Sequence, residues 1–447
     1  MGLHAALIET ASSARPESFK DFCRSLPDDW IDAALAATGT ATLRRRRLPA
    51  EQAVWLVLGI GLFRDRPIED VVDRLELALP GRGRVARSSL PGARRRLGEA
   101  PMQWLFEHCS AKWALSSAKK HAWKGLSLFA VDGTSMRTFD SDDNRAEFGG
   151  WTAGAGGSDS VTPLVRLVAV VALHSHLLFK ARFGPYATSS ELGFASELIP
   201  TIPDHSLTIL DSLYVSAALL LGIEAGGAER HWMTIAKKST KSTTIERFGP
   251  GDELVQMTVS SEARAMDPKL PKHWRARAVT YQRPGCEPRV ILTSLRDPSR
   301  YCAEELRELY HQRWEIELAY DEIKTELLDR EPTLRSKTPL GVRQELWGIL
   351  LAFNLVRLEM SRIADQIQLP PTRISFAASL TLIRDEWEWS AITRSPGAIP
   401  KHLRALEERL KRLVLPPRRS RRSYPRVARD FRRYPRKRTR DRNPGLK

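Results

Sequence analysis

Three acidic residues stand where their side chains could meet. Asp132 directly follows the apolar run 126–131, Asp211 follows the short apolar run 207–210, and Glu317 lies in a long amphipathic segment. Carboxylates at the ends of adjacent strands, joined by one from a helix, can converge on a single point, and hard oxygen ligands of this kind bind Mg²⁺ or Mn²⁺. Two such ions can activate a water or a 3′-hydroxyl and stabilise the leaving oxygen of a phosphodiester. The pattern therefore indicates metal-dependent phosphodiester chemistry.

Each carboxylate also has a purely structural interpretation when it is taken alone. Asp132 is followed by Gly133, and Asp-Gly after an apolar run is a common hairpin turn. Asp211 precedes Ser212 and could cap a helix, while Glu317 could be one of many acids on a charged helix. The functional interpretation gains its strength from the helix that carries Glu317.

That helix has a stripe of four chemically distinct side chains. At about 100° of rotation per residue, Tyr310, Arg313, Glu317 and Lys324 fall within an arc of about 60° and spread over about 21 Å. A phenol, a guanidinium, a carboxylate and an ammonium on one stripe suit a metal ligand flanked by phosphate-binding groups. The alternative is an ordinary i,i+4 ion pair between Arg313 and Glu317.

The surrounding elements must bring these residues together. Residues 1–120 have helix-period apolar spacing, and beyond them strand-like runs alternate with helical segments, which predicts a mixed α/β sheet. Between residues 237 and 300, Pro and Gly punctuate short alternating runs, which predicts a β-rich insertion. The predicted core strands are 126–131, 165–173, 177–179, 207–210 and 232–236. Long helices are predicted over 302–328 and 339–363, and a further helical segment over 385–413.

The charge of the chain favours an acidic polymer as its partner. The 447 residues contain 70 Lys and Arg against 53 Asp and Glu, a net charge of +17, and 42% of them are apolar. Residues 418–447 hold 14 Lys and Arg against 2 Asp, so a nearly balanced globular body carries a basic tail. Such basicity most often serves nucleic-acid binding.

Several classes of protein are excluded or disfavoured. The longest largely apolar runs, 53–63 and 346–356, are 11 residues each, whereas a membrane span needs about 20. The N-terminus lacks the basic and apolar regions of a secretory signal, and the four scattered cysteines indicate no disulfide framework. No P-loop, zinc-ligand pattern or dinucleotide fingerprint is present. We therefore expect a cytoplasmic chain without a membrane partner.

Arginines cluster in the helical N-terminal part. One cluster is residues 44–47, and a second contains Arg94, Arg95 and Arg96 within a possible recognition helix over 88–97. These three arginines are our candidates for DNA contacts outside the core. The alternative is a solvated arginine face.

The helix stripe resembles a family signature. Tyr310-x2-Arg313-x3-Glu317-x6-Lys324 is similar to the Y-x2-R-x3-E-x6-K signature of DDE transposases of the bacterial insertion sequence 4 family. The resemblance covers about residues 20–365. Further segments similar to that family are 37–40, 45–49, 63–66, 93–98, 131–134, 143–149, 210–211, 334–340 and 350–355.

This resemblance implies a multidomain α/β fold with an RNase H-like catalytic core. Together with the composition and periodicity, it gives a layout of a helical N-terminal DNA-binding domain (1–120), the first part of the core (121–236), a β-rich insertion (237–300), the second part of the core with the C-terminal helices (301–415) and a basic disordered tail (416–447). It also implies a transposase that cuts transposon ends and joins their 3′-hydroxyls to target DNA.

The resemblance assigns roles to individual residues. Asp132, Asp211 and Glu317 would be the catalytic carboxylates and ligands of Mg²⁺, with Mn²⁺ as a substitute. Tyr310, Arg313 and Lys324 would contact DNA. A homodimer in the synaptic complex, at the bacterial nucleoid, is the expected assembly.

Related enzymes can form a hairpin at the transposon end and stack a flipped base on an aromatic residue of the insertion. Trp232 and Trp274 are the sequence candidates for that residue, with a buried tryptophan as the favoured interpretation of each.

Three other functions remain open at this point. A DNA-binding regulator of transposition would keep the fold without the chemistry, and an RNase H-like nuclease would hydrolyse DNA without joining strands. A nucleic-acid coat protein is the least favoured, because it would not need the stripe around Glu317.

Overall fold

A computed structural model describes residues 26–41, 48–75, 77, 85–149, 162–282, 287–330, 333–392 and 408–415. The arginine run 44–47 and the basic tail 416–447 lie outside these residues. Within the described ranges, no helix combines the length and the apolar character that crossing a bilayer requires.

The N-terminal part is helical, as the apolar spacing predicts. Its helices are α1 (Asp28–Ala37), α2 (Ala50–Leu62), α3 (Ile68–Arg74), α4 (Ser89–Leu97) and α5 (Ala100–Lys120). Helix α2 is buried along almost its whole length because it packs against α12 (Pro339–Gln366). The two backbones touch: a Cβ at Gly348 would lie 2.8 Å from the carbonyl oxygen of Val57. The helical part therefore shares one continuous hydrophobic core with the rest of the described chain.

The centre of the molecule is a mixed sheet. Strand β1 (Ser127–Thr138) lies between β2 (Leu164–Ala172), which is antiparallel to it, and β4 (Ser206–Leu210), which is parallel. The remaining strands of this part are β3 (Leu178–Pro185) and β5 (Arg230–Ile235). Three helices accompany these strands: α6 (Asp142–Phe148), α7 (Glu191–Leu198) and α8 (Ala217–Ala225).

The region 237–300 extends this sheet. Its strands are β6 (Thr243–Gly249), β7 (Asp252–Thr258), β8 (His273–Tyr281) and β9 (Arg289–Thr293), with α9 (Ser261–Met266) between β7 and β8. Because β9 pairs with β5, the strand order runs β3-β2-β1-β4-β5-β9-β8-β7-β6. The region is rich in strands, as its turn residues predict, and these strands extend the central sheet at the edge formed by β5.

The predicted helix 302–328 is broken into three segments. Helix α10 (Ala303–His311) ends before α11 (Trp314–Asp321), and a π-helical segment (Glu322–Leu327) continues from α11. Strand β10 (Thr333–Leu334) then pairs with the end of β1, and α12 follows. The last described long helix, α13 (Phe376–Ile392), begins nine residues before the predicted segment 385–413.

Candidate active site

The two aspartates occupy neighbouring positions on adjacent parallel strands. Val131 of β1 is in register with Leu210 of β4, and each is followed directly by an aspartate. Strand β4 ends at Leu210, so Asp211 is the first residue beyond it, whereas β1 continues past Asp132 to Thr138. Neighbouring strands lie about 4.8 Å apart, which brings the backbones of Asp132 and Asp211 together. Both side chains are half-buried.

The hairpin-turn interpretation of Asp132-Gly133 is wrong, as is the placement of Asp132 after its strand. Both residues lie inside β1 and pair with Ala169 and Val168 of β2. A glycine is required at position 133 for a different reason: a Cβ there would lie 2.5 Å from the Cδ atom of Glu191, at the start of α7. The glycine permits a close approach of a side chain from the neighbouring helix.

Two tyrosines of the helical segments contact backbone carbonyls of the strands that carry the aspartates. The Tyr320 hydroxyl of α11 donates to the backbone carbonyl of Asp132 at 2.6 Å. The buried Tyr310 of α10 lies with its hydroxyl 3.5 Å from the carbonyl of Leu210. Tyr310 thus contacts the backbone beside Asp211, and its burial raises the pKa of its phenol.

Glu317 is half-buried on α11 and is held by Arg313. The guanidinium donates from Nη2 to Glu317 Oε1 at 2.7 Å, so the i,i+4 ion pair raised as an alternative does form. Arg313 also interacts electrostatically with Asp132 and with Asp211. One guanidinium therefore interacts with all three acidic residues.

Burial dominates the electrostatics of this site. It raises the pKa of Asp132 to about 6; the Gly133 N–H and Arg313 oppose the rise, and Asp211 and Glu317 add to it. Burial also lowers the pKa of Lys324, against the attraction of Asp132 and Asp321. Lys324 therefore lies within electrostatic reach of Asp132.

The donor set suits a hard divalent cation, although it is not assembled as a ligand cluster. Within the described residues, no group of three or more His, Cys, Asp or Glu side chains is close enough to hold a metal ion. Asp132 and Asp211 are adjacent, and the Glu317 carboxylate is engaged by Arg313. Crowded carboxylates with a raised Asp132 pKa are the arrangement that a divalent cation would stabilise.

The four residues of the stripe do not share one regular helix, yet their side chains still lie near the aspartates. The predicted arc assumed one regular helix, but Tyr310 lies in α10, Arg313 precedes α11, and Lys324 lies in the π-helical segment. Tyr310 interacts with Asp211 and Lys324 with Asp132, so the side chains still face the aspartates.

The three arginines of α4 separate into one internal residue and two exposed ones. Arg94 donates to Ser336 Oγ at 3.1 Å, to the Gly341 carbonyl at 2.9 Å and to Gln344 Oε1 at 3.3 Å. Burial lowers its pKa, with Glu345 opposing. These bonds argue against Arg94 as a DNA contact, whereas Arg95 and Arg96 are exposed.

The two tryptophans considered for base stacking are buried. Trp232 is 0% exposed and Trp274 is 7% exposed, and their ring centroids lie 5.7 Å apart. Sequence reasoning missed Trp314, which is 51% exposed at the start of α11, with the Arg313 guanidinium 5.4 Å from its ring. Its position in the sequence, directly after the stripe residue Arg313, could have indicated it.

Comparisons with known proteins decide the family. Residues 16–107 match the family described as "Insertion element 4 transposase N-terminal", and residues 123–355 match "Transposase DDE domain". The transposase InsG for insertion sequence element IS4 from Escherichia coli (strain K12) is 38% identical over 425 residues, which cover 93% of this chain and 94% of that one. This chain belongs to the insertion sequence 4 family of DDE transposases.

Two further comparisons differ in weight. The putative transposase InsZ of the same organism is 38% identical over 234 residues, covering 52% of this transposase and 76% of that protein. A solved structure of the piggyBac transposase synaptic complex with hairpin DNA aligns over 88% of this chain and 83% of that chain. Its TM-score is 0.42 at 10% identity.

Membership of the family establishes the general chemistry. The protein is a DNA transposase, an enzyme that catalyses DNA cleavage and strand transfer, and its DDE domain implies a divalent metal cofactor. Neither an inactive regulator nor a nuclease without strand transfer is favoured by these relatives.

Proposed function

We propose that this transposase cuts the ends of its own element and joins the freed 3′-hydroxyls to target DNA, with Asp132, Asp211 and Glu317 as its catalytic carboxylates. The observation that carries the proposal is the register of β1 and β4, which sets Asp132 beside Asp211, with Arg313 in electrostatic contact with both. The match of Glu317 to the family's signature supplies the third carboxylate.

Mg²⁺ is the proposed metal, with Mn²⁺ as a substitute, and the three carboxylates are its proposed ligands. When bound, the ion supplies Lewis-acid activation of the attacking oxygen and stabilises the leaving oxygen. Arg313 is the proposed cation that lies beside the reacting phosphate, because a guanidinium can form two parallel bonds to phosphate oxygens. Its partner in the structure, Glu317, has a side chain that is 37% exposed, so this carboxylate is accessible to an approaching strand.

Lys324 and Tyr310 are the proposed supports of the same strand. Lys324 offers a point charge whose lowered pKa reflects burial close to Asp132. Tyr310 is itself buried, so we assign it to holding α10 against β4, which positions the neighbouring Arg313 beside the DNA strand.

Trp314 is the proposed aromatic surface for an unstacked base. Its half-exposed ring borders Arg313, and exposed Leu318 follows it one turn later. A large exposed aromatic beside a phosphate-binding cation is suited to stacking a base, which is worth about 1–3 kcal/mol per base.

The finer architecture belongs to this proposal as well. We assign the strands up to β5, together with α10 to α12, to an RNase H-like core with domain limits near residues 120, 236, 300 and 415. The exposed Arg95 and Arg96 of α4 are assigned to contacts with the transposon end. A homodimer in the synaptic complex, at the bacterial nucleoid, is the proposed working assembly.

The direct test uses the full-length protein and DNA that carries the element's terminal sequence. With Mg²⁺ we expect strand cleavage at the element boundary and joined products with target DNA, and with EDTA neither. Cleavage without any joined product would favour the nuclease alternative, and binding without cleavage would favour the regulator.

A further inference from the structure

Four side chains, two of them buried and two half-buried, are bonded to one another beside α11. They are His176 from the turn between β2 and β3, Glu315 and Glu322 from the segment that carries Glu317, and Arg357 from α12. His176 and Arg357 are each 1% exposed. We call these four side chains the His176 cluster. Glu315 precedes Glu317 by two residues, so it projects from the opposite side of the helix.

Every member of the cluster is bonded to another. Arg357 donates to both carboxylate oxygens of Glu322, at 2.9 Å from Nε, and its Nη2 also donates to Nδ1 of His176 at 2.5 Å. Because a guanidinium has no acceptor, Nδ1 accepts, and the proton on Nε2 is donated to Glu315 Oε2 at 2.8 Å. The 3.2 Å contact between Nδ1 and Glu322 Oε2 is then a close approach without a shared proton.

The cluster joins three parts of the molecule. His176 has a positive φ of 60°, which is uncommon for a residue other than glycine and marks a turn held by its surroundings. The turn follows β2, whose Ala169 pairs with Asp132. Arg357 lies in the middle of the buried helix α12. The sheet that carries Asp132, the segment 314–327 that carries Glu317, and α12 therefore meet at these four side chains.

The segment 314–327 needs side-chain contacts to hold its orientation because its helix is irregular. Glu322 begins the π-helical segment, and Lys324 lies within it. π-Helical turns are rare and occur frequently at functional sites. Glu315 and Glu322 lie on either side of Glu317 in the sequence, so bonds to both fix the rotation of the intervening residues about the helix axis.

We propose that the His176 cluster is a positioning unit, which sets the rotation of the segment that presents Glu317 and Lys324 to the aspartates. This inference rests on the proposed function of those two residues. Burying two carboxylates and a guanidinium costs desolvation that well-packed apolar side chains would avoid. The cluster is therefore better explained by orientation than by stability.

The first test compares two carboxylates that each pair with a buried arginine. Glu322→Gln weakens the cluster, and Asp252→Asn is the matched control, because Asp252 bonds Arg277 in the insertion at 2.7 and 2.6 Å, and Arg277 is 0% exposed. For each full-length protein we would measure the thermal midpoint, the affinity for end DNA and the single-turnover cleavage rate in Mg²⁺ at saturating DNA.

We expect Glu322→Gln to cleave at least about 10-fold more slowly with its affinity for end DNA unchanged, since small misplacements of catalytic groups cost up to about 100-fold. The control should cleave within about 2-fold of the wild type even where its midpoint falls equally. Equal slowing of both variants, or of neither, would overturn the proposal.

A second pair of variants decides the matter if Glu322→Gln does not fold. Glu315→Gln keeps an oxygen that accepts the His176 N–H, whereas Glu315→Ala removes it. We expect cleavage to be slowed by Glu315→Ala and largely restored by Glu315→Gln; equal rates for the two would contradict the positioning role. If the wild-type protein itself fails to cleave, the proposed function fails; if it cleaves and the variants match it, only the role of the cluster fails.

Discussion

Two regions whose arginines are both candidates for DNA contacts differ in what their guanidiniums contact. In α4, Arg94 donates to a hydroxyl, a carbonyl and an amide of the segment 336–344. Before α11, Arg313 contacts the carboxylate of Glu317 and interacts with two aspartates. Arg94 therefore joins two parts of the fold, whereas Arg313 lies among the three carboxylates that we propose to be catalytic. The following predictions separate these two kinds of arginine region.

The largest effect is expected from the aspartates beside Arg313. Asp132→Asn and Asp211→Asn should each slow cleavage and strand transfer by at least about 1,000-fold while end DNA is still bound. The double variant should be no slower than either single one, because catalytic groups that act as a unit are not additive. Cleavage rates and binding curves on the same end DNA check this. Additive losses would indicate that the two aspartates act separately.

The second largest loss of cleavage rate is expected from a substitution of Arg313. Arg313→Ala should slow cleavage by about 100-fold at saturating DNA, the size of effect seen when one charge-stabilising donor is removed. Arg307→Ala is the matched control, because Arg307 bonds the Thr280 carbonyl and Glu304 on α10. A single-turnover assay in which both variants cleave equally would remove Arg313 from the active site.

Arg94 should affect stability and leave catalysis intact. Arg94→Met removes the guanidinium donor from Gln344 Oε1 and from Ser336 Oγ, which should cost about 2 kcal/mol. We expect a lower midpoint of thermal unfolding with the affinity for end DNA and its salt dependence unchanged. An unchanged midpoint of thermal unfolding with weakened DNA binding would show that Arg94 contacts DNA.

The smallest effect is expected from the exposed pair on α4. Replacing Arg95 and Arg96 together with alanine should weaken binding of end DNA and reduce the slope of log K against log salt by up to about 2, since each neutralised phosphate contributes about 0.9. The cleavage rate at saturating DNA should remain that of the wild type. An unchanged slope would show that neither arginine reaches a phosphate.

The sequence predicted the parts of the site that depend on local pattern. Apolar runs that end at Asp132 and Asp211 are enough to identify two strands, and parallel pairing of those strands brings the two aspartates together. The fixed spacing from Tyr310 to Lys324 identified the family, which the comparisons confirm. The insertion was likewise recognisable from its turn residues, although its continuity with the central sheet was not.

What escaped prediction depends on contacts between residues far apart in the chain. Arg94 finds its acceptors about 245 residues later, so its run of arginines alone suggested an exposed surface. The segment 312–313 contains neither proline nor glycine, and nothing local marks the break after α10 or the π-helical segment. Those irregularities follow from packing against β1, β4 and α12, with His176 and Arg357 as partners that helical periodicity cannot reveal.

The most direct test of the central claim compares Glu317→Gln with Asp321→Asn in one Mg²⁺-dependent cleavage assay. Asp321 lies one turn after Glu317 and accepts a bond from Thr325 at 2.7 Å, so it controls for the loss of a negative charge on the same face. The proposed function predicts that Glu317→Gln abolishes cleavage and strand transfer while the protein folds and binds end DNA, and that Asp321→Asn cleaves at close to the wild-type rate. Near wild-type cleavage by Glu317→Gln beside an inactive Asp321→Asn would contradict the catalytic assignment.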